Sequence, residues 1–300
     1  MLRYGVPNLA ISIIPHPSIH YWGKMLDRVL IPVDFSEQCM MMIDCARELK
    51  ELGSRYLTIM HVAPKGKTLS QDENNKLNDM LTKLREAGIK ATLLIRYGDP
   101  VEAIVDEANK EHVDMIAMAS GGKSRAEAFF VGSVSFGIIR KSSKPILLDK
   151  FPDLGVAKAQ ACRMGPHLFR HALVSVDMPM SCTNLEELFD TLCMRGLREA
   201  TLFHVIDSAK YKVGDNKRFA EVKLGLDDMQ KKTRGGTCHV MTHLHYGTPV
   251  YNILEAIKEA DASVVIIGTK KTSSLRGATL GSTAEEVVRK CPIPVLVVPC

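Results

Sequence analysis

An internal repeat, about half as long as the chain, limits what these residues can fold into more than any other feature. Asp34 and His61 recur 143 residues later as Asp177 and His204. Three further landmarks recur 149 residues later: Gly98/Pro100, Gly132-Ser133 and Pro145 return as Gly247/Pro249, Gly281-Ser282 and Pro294. A constant offset that changes once is what gene duplication followed by one loop insertion leaves. A unit of this length predicts a complete domain with its own core rather than a solenoid repeat.

The repeat divides the 300 residues into two domains. We predict a first domain over residues 25–150 and a second domain over residues 170–300. Between them, residues 151–169 contain two prolines and two glycines and form a linker.

Residues 1–24 have no counterpart in the second copy, and the sequence leaves their status open. They are either an over-extended start before Met25 or an N-terminal arm that docks Trp22 onto a neighbour. Their apolar run, Leu9–Ile14, is six residues long and too short to span a membrane.

Strand-like and helix-like segments alternate through both copies. Short β-branched runs such as Arg28–Val33 precede stretches with helical spacing such as Leu69–Ala87. This order predicts an α/β fold with two tandem doubly wound domains, each with a parallel sheet of about five strands flanked by helices. The last strands, Ile146–Leu148 and Val295–Val298, are apolar and could pair edge to edge. That pairing would join the copies into an intrachain pseudo-dimer, and two chains could associate further as a homodimer.

The composition is that of an ordinary globular protein, with 46% hydrophobic and 24% charged residues. The net charge of +5 without basic runs weakly favours small anions and gives no reason to expect a nucleic-acid or membrane partner. The eight cysteines form no CxxC pair, and a chain of this size needs no disulfides for stability. We therefore expect reduced thiols in a cytoplasmic protein.

The repeated landmarks fall where a doubly wound sheet binds ligands, beyond the carboxyl ends of its strands. Asp34 and Asp177 end the first strand of each copy, and a glycine-containing loop follows the fourth. That loop leads to Gly132 or Gly281, each of which opens a helix whose N–H groups and dipole favour a phosphate. A Walker P-loop is excluded because its first glycine would fall at Ala117.

The loops read Ala119-Ser-Gly-Gly122, nine residues, Gly132-Ser133 in copy one, and Gly268-Thr-Lys-Lys271, nine residues, Gly281-Ser282 in copy two. Together with Val-Asp-Phe-Ser at 33–36 and GSTAEEVVRKCPIPVLVV at 281–298, this pattern resembles the universal stress protein family from about Met25 onward. Nucleotide-binding members of that family carry Gly-x2-Gly-x9-Gly-Ser/Thr and an Asp after strand one. Each copy departs once from the family's motif, at Ala119 and at Lys271.

The resemblance implies an adenine-nucleotide-binding stress-response protein that acts as a sensor or regulator. Its cofactor would be ATP or AMP, with Mg²⁺ a candidate companion of ATP. No set of residues that could act together in catalysis is kept in both copies. We therefore expect that the protein is not an enzyme, although slow ATP hydrolysis stays open. In copy one the resemblance places the adenosine and base at Asp34 and Val62, and the ribose and phosphates at Gly122, Gly132, Ser133 and Val134. In copy two the matching residues are Asp177, Val205, Gly268, Gly281, Ser282 and Thr283.

A second hypothesis is a nucleotide-free, dimerising interaction module whose degenerate glycine loops serve only the fold. Asp34 and Asp177 would then do no more than cap helices. A zinc site at His239, His243 and His245 is disfavoured, because copy one places Lys90, Leu94 and Arg96 there. His61 and His204 are expected to pack or to form hydrogen bonds rather than act as bases.

Overall fold

The computed structural model describes residues 26–120, 131–150, 168–178, 182–233, 237–269, 272–274 and 277–300. The N-terminal extension, with Trp22, and most of the linker lie outside these residues. In copy one the elements are β1 (Arg28–Val33), α1 (Glu37–Glu51), β2 (Tyr56–Ala63), α2 (Gln71–Glu86), β3 (Lys90–Tyr97), α3 (Pro100–Lys110), β4 (Met115–Ala119), α4 (Ser133–Lys141) and β5 (Ile146–Asp149).

Copy two repeats this order, and its described residues include a short hairpin that the sequence pattern did not predict. Its elements are β6 (His171–Ser175), α5 (Thr183–Met194), β7 (Glu199–Asp207), α6 (Asn216–Lys232), β8 (His239–Gly247), α7 (Pro249–Glu259), β9 (Val264–Thr269), β10 (Thr272–Ser274), β11 (Gly277–Thr279), α8 (Ser282–Lys290) and β12 (Val295–Pro299). The two hairpin strands, β10 and β11, pair antiparallel within the loop that follows β9. Among the described helices, none combines the length and apolar character that crossing a membrane requires.

Ten strands form one sheet in the order β3-β2-β1-β4-β5-β12-β9-β6-β7-β8. In this sheet all neighbouring strands of the same copy run parallel, and strand order reverses between β1 and β4 and between β6 and β9. The predicted doubly wound α/β fold is therefore confirmed. At the junction β5 pairs antiparallel with β12, which places Leu147 opposite Leu296. The expected edge-to-edge pairing of the last strands is confirmed, and the copies form an intrachain pseudo-dimer.

Helices cover both faces of the sheet, so the central strands are apolar on both sides. Leu30 and Ile31 are adjacent in β1, each fully buried, and belong to separate cores on opposite faces. Burying one such side chain contributes about 1.5–3 kcal/mol. Leu147 and Leu148 continue the two cores across the junction into the second copy. The copies therefore share their hydrophobic interior on both sides of the sheet.

The cysteines differ from the sequence expectation. Cys182 and Cys300 form a disulfide with a Cα–Cα distance of 5.2 Å, so the prediction of reduced thiols throughout is wrong for this pair. The bond joins residues 118 apart in sequence, because the sheet brings the end of β12 beside the start of α5. Free thiols are found at Cys39, Cys193, Cys238 and Cys291.

Candidate functional site

Each copy has a cavity beyond the carboxyl ends of its central strands, where strand order reverses. The first cavity, in copy one, measures about 890 Å³. The second cavity, in copy two, measures about 730 Å³. Both volumes are in the range of small-molecule sites, roughly 300–1,000 Å³. Two doubly wound domains therefore present two separate candidate sites.

Eleven of the twelve residues singled out from the sequence line these cavities. In the first cavity they are Asp34, Val62, Gly132, Ser133 and Val134. In the second cavity they are Asp177, Val205, Gly268, Gly281, Ser282 and Thr283. The twelfth, Gly122, lies outside the described residues, as does Lys271. Segments far apart in sequence thus meet at one rim in each copy.

The repeated histidines hold the turn that carries each aspartate. His61 Nδ1 lies 2.9 Å from the carbonyl oxygen of Val33, the residue before Asp34. His204 Nδ1 makes the same contact with Val176 at 2.8 Å. Because a carbonyl only accepts, His61 Nδ1 carries the hydrogen and donates it. His204 Nδ1 also lies 3.2 Å from the backbone nitrogen of Met178, so it contacts the main chain on both sides of Asp177. These histidines orient the rim by hydrogen bonding, as the sequence suggested, and burial lowers the pKa of His204.

Asp34 is oriented by the residues that follow it. Its Oδ1 accepts hydrogen bonds from the backbone N–H of Ser36 at 3.0 Å and from the Ser36 hydroxyl at 2.5 Å. The N-cap of α1 is Ser36, whose Oγ accepts from the N–H of Cys39 at 3.3 Å. Between them Phe35 adopts a left-handed φ of +63°, and its ring packs on His61 at 4.5 Å. A bulky residue with positive φ stores backbone strain of order 1 kcal/mol, which is common at binding sites.

The helix starts in the cavities are glycines that the fold itself does not require. Gly132 and Gly281 are the N-caps of α4 and α8, with ordinary φ values of −62° and −59° and no side-chain cap. Among the residues that the structure describes, a Cβ built at either position meets nothing within 4 Å. Serine would be a better N-cap than glycine, because its hydroxyl accepts from the exposed N–H groups. Glycine at both positions supplies no side-chain cap to those N–H groups and, within the described part of the chain, leaves the space around its Cα open.

Gly268 differs from these two glycines. A Cβ at this position would lie 2.8 Å from Cys300 Sγ, 3.3 Å from Leu185 Cδ1 and 3.8 Å from Cys182 Sγ. The disulfide therefore packs directly against Gly268, and a larger residue at this position would clash with it. The sequence had interpreted Gly268 only as part of a phosphate loop.

Charged side chains that the sequence reasoning missed stand at the mouth of each cavity. In the first cavity they include Lys67, whose Nζ pairs with Glu73 at 3.3 Å. In the second cavity Arg218 donates to the carbonyl of Met178 at 2.5 Å, and its guanidinium lies 4.8 Å from the ring centre of Tyr211. These residues come from the stretch where the repeat offset changes from 143 to 149. Comparison of the copies could not align them.

Comparisons with known proteins agree with this arrangement. The universal stress protein family model matches residues 25–150 and 169–299. A universal stress protein of Methanocaldococcus jannaschii is 29% identical over 155 residues, covering 42% of this chain and 96% of that protein. The crystal structure of a universal stress protein from Archaeoglobus fulgidus has a TM-score of 0.68 at 26% identity, covering 91% of this chain and 98% of that one.

A functionally unknown protein from Pseudomonas aeruginosa shares the fold, with a TM-score of 0.65 at 16% identity over 92% of this chain and 94% of that chain. The family model covers both copies, and structural likeness extends over the length of the tandem arrangement. The chain therefore belongs to the universal stress protein family and carries two such domains in tandem.

Proposed function

We propose that each cavity binds an adenine nucleotide and that the protein acts as a nucleotide-dependent sensor or regulator in a stress response. The observation that carries this proposal is the pair of open helix starts at Gly132 and Gly281. Neither glycine is required by its backbone angle or by its neighbours among the described residues, so we take close approach of a ligand as the reason for both. The family membership supports the same function.

The phosphates would lie at the start of α4 or α8. A helix N-terminus carries roughly half a positive elementary charge, and its first N–H groups are available as donors. The hydroxyls of Ser133 and Ser282 stand beside these N–H groups on the cavity walls. Backbone and hydroxyl donors of this kind recognise phosphate oxygens without a dedicated cationic side chain. With ATP, Mg²⁺ would share the charge of the phosphates.

The adenosine would lie toward β1 and β2, or β6 and β7. There Val62 and Val205 supply apolar walls, and Asp34 and Asp177 stand exposed at the rim. A carboxylate accepts hydrogen bonds from ribose hydroxyls or from an adenine amino group. The apolar wall with a few polar groups at its rim is typical of small-ligand sites.

The protein would act by binding rather than by turnover. His61 and His204 each contact a backbone carbonyl through Nδ1, which gives both rings a role in holding the rim. The two copies share no set of residues in sequence that could act together in catalysis. We place the protein in the cytoplasm and expect two chains to associate, as an extension of the intrachain pseudo-dimer. Sedimentation at micromolar concentration would test that association, and a monomer alone would contradict it.

Gly132→Ser and Gly281→Ser test the nucleotide proposal, because each should keep or raise the stability of the ligand-free protein while it weakens nucleotide binding. Each serine should leave the ligand-free protein as stable as wild type or more stable, because serine is the better N-cap. Each should remove one of two ATP or AMP sites in calorimetric titration, and the double variant should remove both. Each single variant is the matched control for the other cavity. Wild-type protein that neither contains adenine nucleotide after denaturation nor binds it on titration would sink the proposal.

A further inference from the structure

The Cys182–Cys300 disulfide is part of the wall of the second cavity. Both cysteines line it, together with Gly268 and Leu185. The bond ties the N-cap of α5 to the residue that follows β12. A hydrogen bond of 2.7 Å from Asn184 Nδ2 to the carbonyl of Pro299 also joins these two elements. The disulfide thus fixes the position of a helix start relative to the strand that ends at the cavity.

The two sulfurs differ in accessibility and in electrostatic surroundings. Cys300 is exposed, whereas Cys182 is half-buried. Cys182 stands at the N-terminus of α5, where the helix dipole stabilises a thiolate. An incoming thiolate would therefore reach Cys300 Sγ, and Cys182 would be the favoured leaving group.

The first cavity has no corresponding bond. Cys39 stands at the position of Cys182, 143 residues earlier, and Phe151 at the position of Cys300, 149 residues earlier. The Cys39 thiol is free and buried, and burial raises its pKa to about 12. Ala119 occupies the place of Gly268, where copy two needs room for sulfur. The thiol chemistry of the second cavity is therefore a property of that copy alone.

We propose that Cys182–Cys300 is an exchange site for low-molecular-weight thiols and that its oxidised form holds the second cavity in its ligand-binding shape. The exchange half of this proposal depends on the disulfide alone. The binding half, that the bond holds the cavity in its ligand-binding shape, rests on the proposed nucleotide binding. Breaking the bond leaves the helix start and the strand end joined by weaker contacts, so the wall loses preorganisation and the ligand binds less tightly.

The exchange proceeds in two successive thiol–disulfide steps. A thiolate attacks Cys300 Sγ, forms a mixed disulfide there and releases Cys182 as a thiolate that takes up a proton. A second thiol attacks the mixed disulfide, releases Cys300 as a thiol and leaves as the oxidised small-molecule disulfide. Two electrons pass from two small thiols to the protein, and no other reactant is required.

Peptide mass spectrometry tests the exchange half. Full-length oxidised protein would be incubated with glutathione, and free thiols would then be alkylated. We expect a glutathionyl group on Cys300 and the alkyl label on Cys182. An intact Cys182–Cys300 peptide after prolonged incubation, or the adduct on Cys182, would overturn the assignment. Cys291, a buried free thiol outside both cavities, is the internal control and should carry no glutathionyl group.

Titration with ATP tests the binding half. In the Gly132→Ser protein, which keeps only the second cavity, reduction by dithiothreitol should raise Kd roughly 3- to 10-fold. In the Gly281→Ser protein, which keeps only the first cavity, the same treatment should leave Kd unchanged. Cys182→Ser/Cys300→Ser in the Gly132→Ser background should match the reduced protein and ignore dithiothreitol.

Equal affinity in oxidised and reduced second cavities would overturn the binding half. If neither single-cavity protein binds ATP in either redox state, the proposed function fails together with this half. The peptide masses decide the exchange half in that case too, so the two failures are distinguishable.

Discussion

Gly268→Ala tests whether packing against the disulfide, rather than a phosphate, requires glycine in β9. The new Cβ would lie 2.8 Å from Cys300 Sγ and 3.3 Å from Leu185 Cδ1. Leu185 can rotate, but the sulfur is held by its bond to Cys182 and cannot withdraw freely. The clash must be relieved by a shift of β9 or of the disulfide.

The expected cost follows from overpacking a well-packed site, about 1–3 kcal/mol. It should appear as a lower free energy of unfolding in urea, measured without nucleotide and with the disulfide intact. Gly281→Ser is the matched control, because its new side chain meets open space, and it should unfold at or above the wild-type midpoint.

A double-mutant cycle isolates the contact with sulfur. In a Cys182→Ala/Cys300→Ala background, the same Gly268→Ala change should cost less than in wild type, because the sulfurs that it meets are gone. Equal costs in both backgrounds, or no cost in wild type, would refute the packing account. The glycine would then need another reason, and a ligand would be the leading one.

Three further predictions concern titration, thiol reactivity and the contact between copies. Burial raises the pKa of Glu48 from 4.5 to about 8, so its contribution to stability is full below pH 4.5 and is lost as pH rises toward 8. Glu48→Gln should reduce the loss of unfolding free energy between pH 4.5 and 8 by ~1 kcal/mol, after allowance for solvent screening. An unchanged pH dependence of the unfolding free energy would contradict this. Of the free thiols described, Cys238 should alkylate first, because a hydrogen bond from Cys193 lowers its pKa; faster labelling of Cys193 would contradict this. Arg140→Ala removes an exposed ion pair of 3.1 Å with Glu285 and should cost at most ~1 kcal/mol in unfolding free energy; a larger loss would mean that the pair is central to the junction.

The repeat made the fold predictable in unusual detail. A strand–helix order that occurs twice reduces local ambiguity, and the predicted ends of β1, α2, β5 and β12 agree with the structure within two residues. The apolar last strands correctly indicated the pairing of β5 with β12, because an apolar edge requires a partner. Asp34 and His61 were recognised for the same reason: a feature kept in both copies serves the common fold or the common site.

The features that the sequence did not reveal are those present in one copy. The Cys182–Cys300 bond spans 118 residues and has no local spacing signature, so only the folded sheet brings the sulfurs together. Arg218 lies where insertion shifted the register, and no counterpart marks it. The left-handed φ at Phe35 could not be predicted, because the sequence has no glycine or asparagine at that position.

The antiparallel pairing of β5 with β12 has a consequence for how two ligands could influence each other. Because the strands of copy two run opposite to those of copy one, their carboxyl ends lie at opposite edges of the common sheet. Two bound molecules would therefore face away from each other, with no direct electrostatic or steric contact. Any cooperativity between them would be mechanical, carried through the shared interior around Leu147 and Leu296. The two cavities thus lie at opposite edges of one continuous sheet, so a substitution in one cavity can change its ligand preference without contacting the other.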